Sequence, residues 1–319
     1  MKLKKLSLIL MIAISNTLIA QTTSLTISSE QQETVYIKGF RFTDTLIKKW
    51  ISEYSEIYPE VLLDISGKNV ENQLIEVVSL GKERGNSLQV ASKAISFGRY
   101  AVLPIAGNNN LSLQDEFKKK KLNEKRLKEL FFEKDILDDD YDYDEKKEKY
   151  DVVVYSGNNA NSVSRLFAGH FGYETNSLKG KKIAGDDIYL NDAVKKDVKG
   201  VSFNNLNYIF DIESRKLNDG IALLPLDIKK EYAEVLNEKS LDKIIALLES
   251  KNIDLIPIEE LFFVLPEKVN PALVHFIEWA LSDGQKHLNS FGFLQLDAKS
   301  LAQQKRQISE LGVKLLANR

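Results

Sequence analysis

The 319-residue chain contains no cysteine. That excludes a disulfide framework, a thiolate nucleophile and the lipobox cysteine that would carry a lipid anchor. Histidine is almost as scarce. His170, His275 and His287 are the three present, and no zinc-ligand spacing, nucleophile elbow or Walker-type phosphate loop accompanies them. His170 lies on the apolar side of its segment beside Phe171 and reads as a packed histidine rather than a base. A basic surplus is missing too. The formal charge is −2, and −5 without Lys2, Lys4 and Lys5, which argues against nucleic-acid binding. Beyond residue 20 no stretch is long and apolar enough to span a membrane.

What is present begins with a three-part leader. Lys2, Lys4 and Lys5 precede an apolar run from Leu6 to Ile14, resumed at Leu18 and Ile19, and Ala20 ends it. Residues 1–20 therefore read as a secretory signal cleaved before Gln21, although Leu18 is larger than usual three residues before the cut. The alternative, an uncleaved anchor, is disfavoured by Ser15, Asn16 and Thr17. Export to the periplasm follows as an expectation. Residues 21–33 are polar and read as a tether.

The stretch around which the remainder is organised is Asp151–Gly172, DVVVYSGNNANSVSRLFAGHFG. Val152–Val154 read as a strand, Ser156–Asn161 as a loop of small polar residues, and a helix starts near Asn161 or Ser162. Such a start directs unpaired N–H groups at one point, which suits an anion. Upstream, Val35–Lys38 reads as a strand. Thr43 or Asp44 caps a helix over Leu46–Ile57, stopped by Pro59, and Val61–Ile65 is a second strand. Ser66-Gly67 is then expected to open a second helix with Val70, Leu74, Val77 and Val78 inward. This β-α-β-α order predicts a mostly parallel sheet.

Ser87–Ser92 and Tyr100–Ile105 read as further strands, and a charged region over 114–150 carries a helix with Leu122, Leu127, Leu130 and Phe131 inward. Its basic run, Lys118–Lys121, and acidic run, Asp138–Glu145, are read as solvated. Counted from Asp140, Glu145 stands where a calcium loop needs glycine. Downstream, Leu178–Ile183 reads as loop and Ile188–Lys199 as helix. Strands are expected at Val201–Phe203, Gly220–Leu226, Leu255–Pro257 and Leu261–Leu265. Helices are expected at Ser240–Ser250, at residues 271–291 and at Ser300–Ala317.

Several of these segments carry a family resemblance. YIKGFRFTDTLIKKWISEYSEIYPEVLLDISGKNVENQL, SLQVASKAI, YAVLPIAGNNN, KKLNEKRLKELFFEK, the central strand–loop–helix and VNPALVHFIEWALSDGQKHLNSFGFLQL occur in this order. Together they resemble the PstS-like phosphate-binding proteins of ABC importers. The resemblance implies a two-lobed periplasmic binding protein fold of α/β class (type II), with helices on both sheet faces. It implies crossing strands near Leu103–Ile105 and Phe262–Leu265, so that residues 34–103 with 266–319 form one lobe and 104–265 the other.

It further implies a monomer without cofactor or catalysis that passes phosphate or a related oxyanion to an importer permease. Carried over by position, the ligand residues are Arg41, Thr43, Ser66, Gly67, Ser92, Ser156, Asn161 and Ser162. For the serines, Thr43 and Asn161, helix capping is an equally sufficient role, and Arg41 could instead stack on Phe40 or Phe42. The chain departs from the family in the loops. Gly39-Phe40-Arg41-Phe42 replaces a Ser/Thr-rich turn, SGNNANS replaces Ser-Gly-Ser-Gly-Thr, and Ser87 stands where the family has a proton-accepting acid. A site of donors alone would not select for a protonated oxyanion. A ligand-free envelope protein on the same fold is the alternative.

Overall fold

The computed structural model describes residues 34–65, 74–79, 94–109, 111–133, 150–158 and 163–317. The leader, the tether, the acidic run and five of the eight carried-over residues, Ser66, Gly67, Ser92, Asn161 and Ser162, lie outside these.

β1 (Thr34–Lys38) alternates buried Val35 and Ile37 with half-exposed neighbours, the pattern of a strand with one covered face. After Gly39 a 3₁₀ turn, Arg41–Thr43, leads into α1 (Asp44–Ile57), which buries Leu46, Ile47, Trp50 and Tyr54. β2 (Leu62–Ile65) follows and pairs parallel to β1. The expected second helix meets a correction here, because Leu74–Val78 is a strand, β3, parallel to β1 and antiparallel to a later one. Ile75 and Val77 are buried and Glu76 is exposed, so the period is two.

β4 (Ala94–Gly107) runs 14 residues, well past the expected Tyr100–Ile105. α2 (Leu111–Lys119) and α3 (Glu124–Phe131) come next, and then β5 (Val153–Gly157) and α4 (Val163–His170), the expected strand and helix. Lys181–Ile183, read as loop, is strand β6, because its backbone pairs parallel with β5. α5 (Ile188–Lys196), β7 (Gly200–Asn205), α6 (Leu206–Ile209), β8 (Ile221–Leu223), α7 (Lys230–Asn237) and α8 (Leu241–Ser250) complete the central region.

β9 (Ile258–Val264) replaces the two short strands expected at 255–257 and 261–265. α9 stops at Ala280, not 291, and two 3₁₀ turns follow, Asp283–His287 and Asn289–Phe291. The break brings Gly284 against Trp50. The indole Nε1 donates to Gly284 O at 2.8 Å, and a Cβ on residue 284 would lie 3.1 Å from that nitrogen. α10 (Ala298–Ala317) closes the chain.

The nine strands form one curled sheet in the order β2-β1-β3-β9-β4-β7-β5-β6, with β8 also on β4. The parallel pairings are β1/β2, β1/β3, β5/β6 and β5/β7, and the antiparallel ones all involve β4 or β9. β4 is shared by the two halves. Residues 94–101 pair with β9, and 102–107 pair with β7 and β8. β9 lies in the first half along its whole length, so the chain returns to that half before Ile258. Each half has its own aromatic core. Trp50, Phe97 and Phe263 meet at 4.4–6.0 Å between ring centres in the first. Phe131, Phe167 and Phe203 meet at 3.9–5.5 Å in the second.

Candidate functional site

The site is built where helix starts from both halves converge. On the first half, Gly39 lets the chain turn sharply, since a Cβ there would lie 2.6 Å from Val77 Cβ. The Thr43 hydroxyl then donates to Phe40 O at 2.7 Å. Phe42 is buried, stacked on Phe40 at 5.2 Å, and it packs on Tyr100, Tyr208 and Phe293. Tyr208 belongs to the short helix α6 of the second half. Beside it, Asn207 Nδ2 donates to Phe42 O at 2.7 Å, so the starts of α1 and α6 are in direct contact.

The start of α5 joins them. Burial pushes the Asp44 carboxyl above its usual range, nearby Asp186 adds to that, and Lys48 and Arg41 oppose it. The Tyr208 hydroxyl is driven well above an ordinary phenol, first by burial and then by its hydrogen bond with Asp186. Asp187 brings in the fourth start, because its Oδ2 accepts from Val163 N, the first residue of α4, at 3.2 Å. Burial pushes Asp187 up to about 7. The Val163 N–H bond works against this, and Asp186 adds to it. Among the described residues no group of three or more acids and histidines is placed to hold a metal ion.

A polar lattice supports this point from behind. Asn204 Nδ2 donates to Asp187 O at 2.7 Å and to Asn191 Oδ1 at 3.0 Å, while Asn191 Nδ2 donates to Tyr208 O at 2.7 Å. Asn205 caps α6 through Oδ1, and its Nδ2 is buried with no hydrogen-bond partner among the described residues. That orphan donor is costly unless something accepts from it. Lys182 stands beside the end of β5. Its Nζ donates to Ser156 Oγ, Thr175 O and Leu178 O at 3.0–3.1 Å, and burial holds it below an ordinary lysine.

The three carried-over residues that are described fall apart in environment. Arg41 is exposed at the start of the 3₁₀ turn, beside the convergence. Thr43 is wholly buried and engaged with Phe40 O. Ser156 is wholly buried and takes a bond from Lys182. Sequence reasoning missed Asp187, Lys182, Asn204 and Asn205. The adjacent Asn204-Asn205 at the end of an apolar strand was the one available signal. His170 is half-buried rather than in the core, edge-on to Phe171, with Nε2 on Asp254 O at 2.6 Å.

One more connection crosses between the halves. Arg165 of α4 forms an ion pair with Glu259 of β9 at 3.1 Å and donates to Ser79 O at 3.2 Å and to Ser79 Oγ. Tyr100 donates to the same Glu259 carboxylate at 2.9 Å. A cavity of about 340 Å³ lies along β9, lined by Arg99 and Lys251 against Glu249, Glu259 and Glu260. Three carboxylates against two cations make it a poor seat for an anion.

The fold is similar to that of solved ABC-transporter substrate-binding proteins. A Clostridium perfringens protein, described as a phosphate ABC transporter substrate-binding protein with bound phosphate, superposes with a TM-score of 0.51 at 16% identity. The match covers 83% of this chain and all of that one. A Vibrio cholerae ABC-type phosphate transport receptor gives 0.47 at 10% identity, over 82% of this chain and 100% of the other. The substrate-binding domain of a molybdenum ABC transporter from Clostridium difficile gives 0.42 at 12%, over 83% and 99%. No protein-family model matches the sequence, and no curated protein matches it. Among the described residues no helix is long and apolar enough to cross a membrane.

Proposed function

We propose that this chain is an exported solute-binding protein that captures phosphate or a related oxyanion between two lobes and hands it to an ABC importer permease. The observation that carries the reading is the convergence of the starts of α1, α4, α5 and α6, from both halves, on the region of Arg41, Val163 and Asp187. Helix starts supply N–H donors and a positive field, the means by which a clamp holds an anion without a metal. The fold shared with a phosphate-bound receptor supports the same reading. The lobes of the proposal are the two halves of the sheet, residues 34–101 with 258–317 and residues 102–257. Arg41 supplies charge, and Ser66, Gly67, Ser92, Asn161 and Ser162, outside the described residues, are the further ligand residues of the proposal. Thr43 and Ser156 shape its walls from buried positions. The mature protein starts at Gln21, lies free in the periplasm and acts as a monomer.

The test is thermal unfolding of the mature protein with phosphate, sulfate, molybdate and chloride. A ligand present at 100 times its Kd stabilises by about 2.7 kcal/mol, a rise of a few degrees in a chain of this size. If no oxyanion raises the melting temperature, the reading fails. One observation favours a second reading, a ligand-free envelope interaction protein. Phe42 fills the contact with Tyr208, and Asp187 already occupies the start of α4. Recovery of stable envelope partners, with no importer among them and no oxyanion response, would support it.

A further inference from the structure

An aspartate at a helix N-cap ordinarily accepts from the N–H groups of its own first turn. Asp187, at the N-cap of α5, makes no such bond. Asp186 Oδ1 takes the Ile188 N–H in its place at 3.1 Å. The Asp187 carboxylate turns instead to a different helix and accepts from Val163 N at the start of α4. The arrangement is held from both sides. Asn204 fixes the Asp187 backbone from β7, and the residue is only 9% exposed. A buried carboxylate thus sits where an incoming oxyanion would be drawn.

We propose that Asp187 is a built-in anion that occupies the start of α4 and competes with an external oxyanion for it, so that the seat fills more readily when Asp187 is neutral. The inference rests on the reading above for the incoming anion. The competition is direct because the same N–H donor and the same helix field serve both negative groups. Two negative groups sharing one buried position repel strongly, and one of them must leave or take a proton. The ionisable groups near Asp187 are Asp186 on its own loop and Tyr208 from α6. Asp44 from α1 lies next to Asp186, with Arg41 and Lys48 beside it. Burial, with Asp186, places the Asp187 transition at about 7, within the range where a competitor can be switched.

Sulfate is the probe, since it stays doubly charged from pH 6 to 8 and its own titration does not enter. Calorimetric titration of the mature protein compares wild type, Asp187→Asn and Asp187→Ala at both pH values. The expected result is sulfate binding at least about tenfold tighter in Asp187→Asn at pH 8, a difference of about 1.4 kcal/mol, with a smaller gap at pH 6. Asp187→Ala should follow Asp187→Asn, and wild type alone should bind sulfate more tightly at pH 6 than at pH 8. Equal or weaker binding by both variants at pH 8, with wild type binding, overturns the proposal.

A second readout needs no ligand. A carboxyl whose folded value is raised stabilises at low pH and loses that contribution as pH climbs through the folded value. The melting temperature of wild type should therefore fall, relative to Asp187→Asn, between about pH 4 and 7. If no oxyanion binds any of the three proteins, the functional reading fails. The melting comparison then tests Asp187 by itself, and parallel curves would show that it does not titrate as a buried carboxyl and overturn its part as a switchable anion.

Discussion

Glu53 on α1 is held by Lys49 Nζ at 2.9 Å, Lys286 Nζ at 3.0 Å and His287 Nε2 at 2.7 Å. Hydrogen bonds from Lys49 and then Lys286 lower its carboxyl to about 2. A depressed carboxyl stabilises above its unfolded value and loses that contribution as pH falls through the folded one. Unfolding followed between about pH 4.5 and 2 should therefore steepen in wild type and flatten in Glu53→Gln; identical acid limbs would show the cluster to be a solvated surface contact. Gly39 offers a steric counterpart. The 2.6 Å approach to Val77 Cβ leaves no room for a methyl group. Gly39→Ala should cost about 1–3 kcal/mol in chemical denaturation and disturb the 3₁₀ turn that carries Arg41. Residue chemistry was only partly legible in the sequence. Thr43 and Ser156 were recognisable as small polar residues flanking helix starts. Their burial depends on Phe40 O and on Lys182, which lies 26 residues beyond Ser156, and no local pattern encodes that.

At the scale of elements, punctuation was readable wherever a local signal sufficed. Asn270-Pro271 before α9 marks a helix start by local chemistry, with Asn270 accepting from Leu273 N, and Thr43-Asp44 marks the start of α1 without a side-chain cap bond. Leu74–Val78 was not readable, because apolar residues at 74, 77 and 78 also satisfy a helical spacing. Pairing with β1 on one side and β9 on the other decides for a strand. The end of α9 was equally hidden, since it depends on Trp50, more than 200 residues away. Tertiary pairing also produced the Arg165–Glu259 link, which ties α4 to β9. Both side chains are partly exposed, at 25% and 13%, so the pair is discounted for screening. Arg165→Ala should destabilise by about 1–3 kcal/mol, mostly by removing the guanidinium from Ser79 O and leaving Glu259 with Tyr100 as its remaining donor. Faster hydrogen exchange in α4 than in α1 would locate the loss. Uniform change across both helices would instead assign it to global stability.

At the scale of the molecule, the same links bear on hinge motion, the movement expected of the two-lobed receptor proposed above. β4 runs unbroken through both halves, so any opening must bend that strand and part the contacts beside it. Those contacts are several. Asn207 holds Phe42 O, Arg165 holds Glu259, and Arg215 donates to Asn289 O and Ser290 O at 2.7 Å each. Gly292, at φ +80°, lets the segment after α9 approach Asn207, where a Cβ would come within 3.0 Å of backbone nitrogen. A ligand shifts an opening equilibrium only by its differential affinity for the two forms, and here the closed form is already supported by internal bonds. The free protein should therefore scatter X-rays as a closed particle, with a folded core near about 19 Å in radius of gyration. Saturating phosphate should change that radius by less than about 0.5 Å, because the internal ties already hold the closed form. The double variant Arg165→Ala, Asn207→Ala removes two of the ties and should expand when free and contract on adding phosphate. A contraction of about 1 Å or more in wild type would mean that the internal ties do not hold the halves together and that ligand supplies the closing free energy.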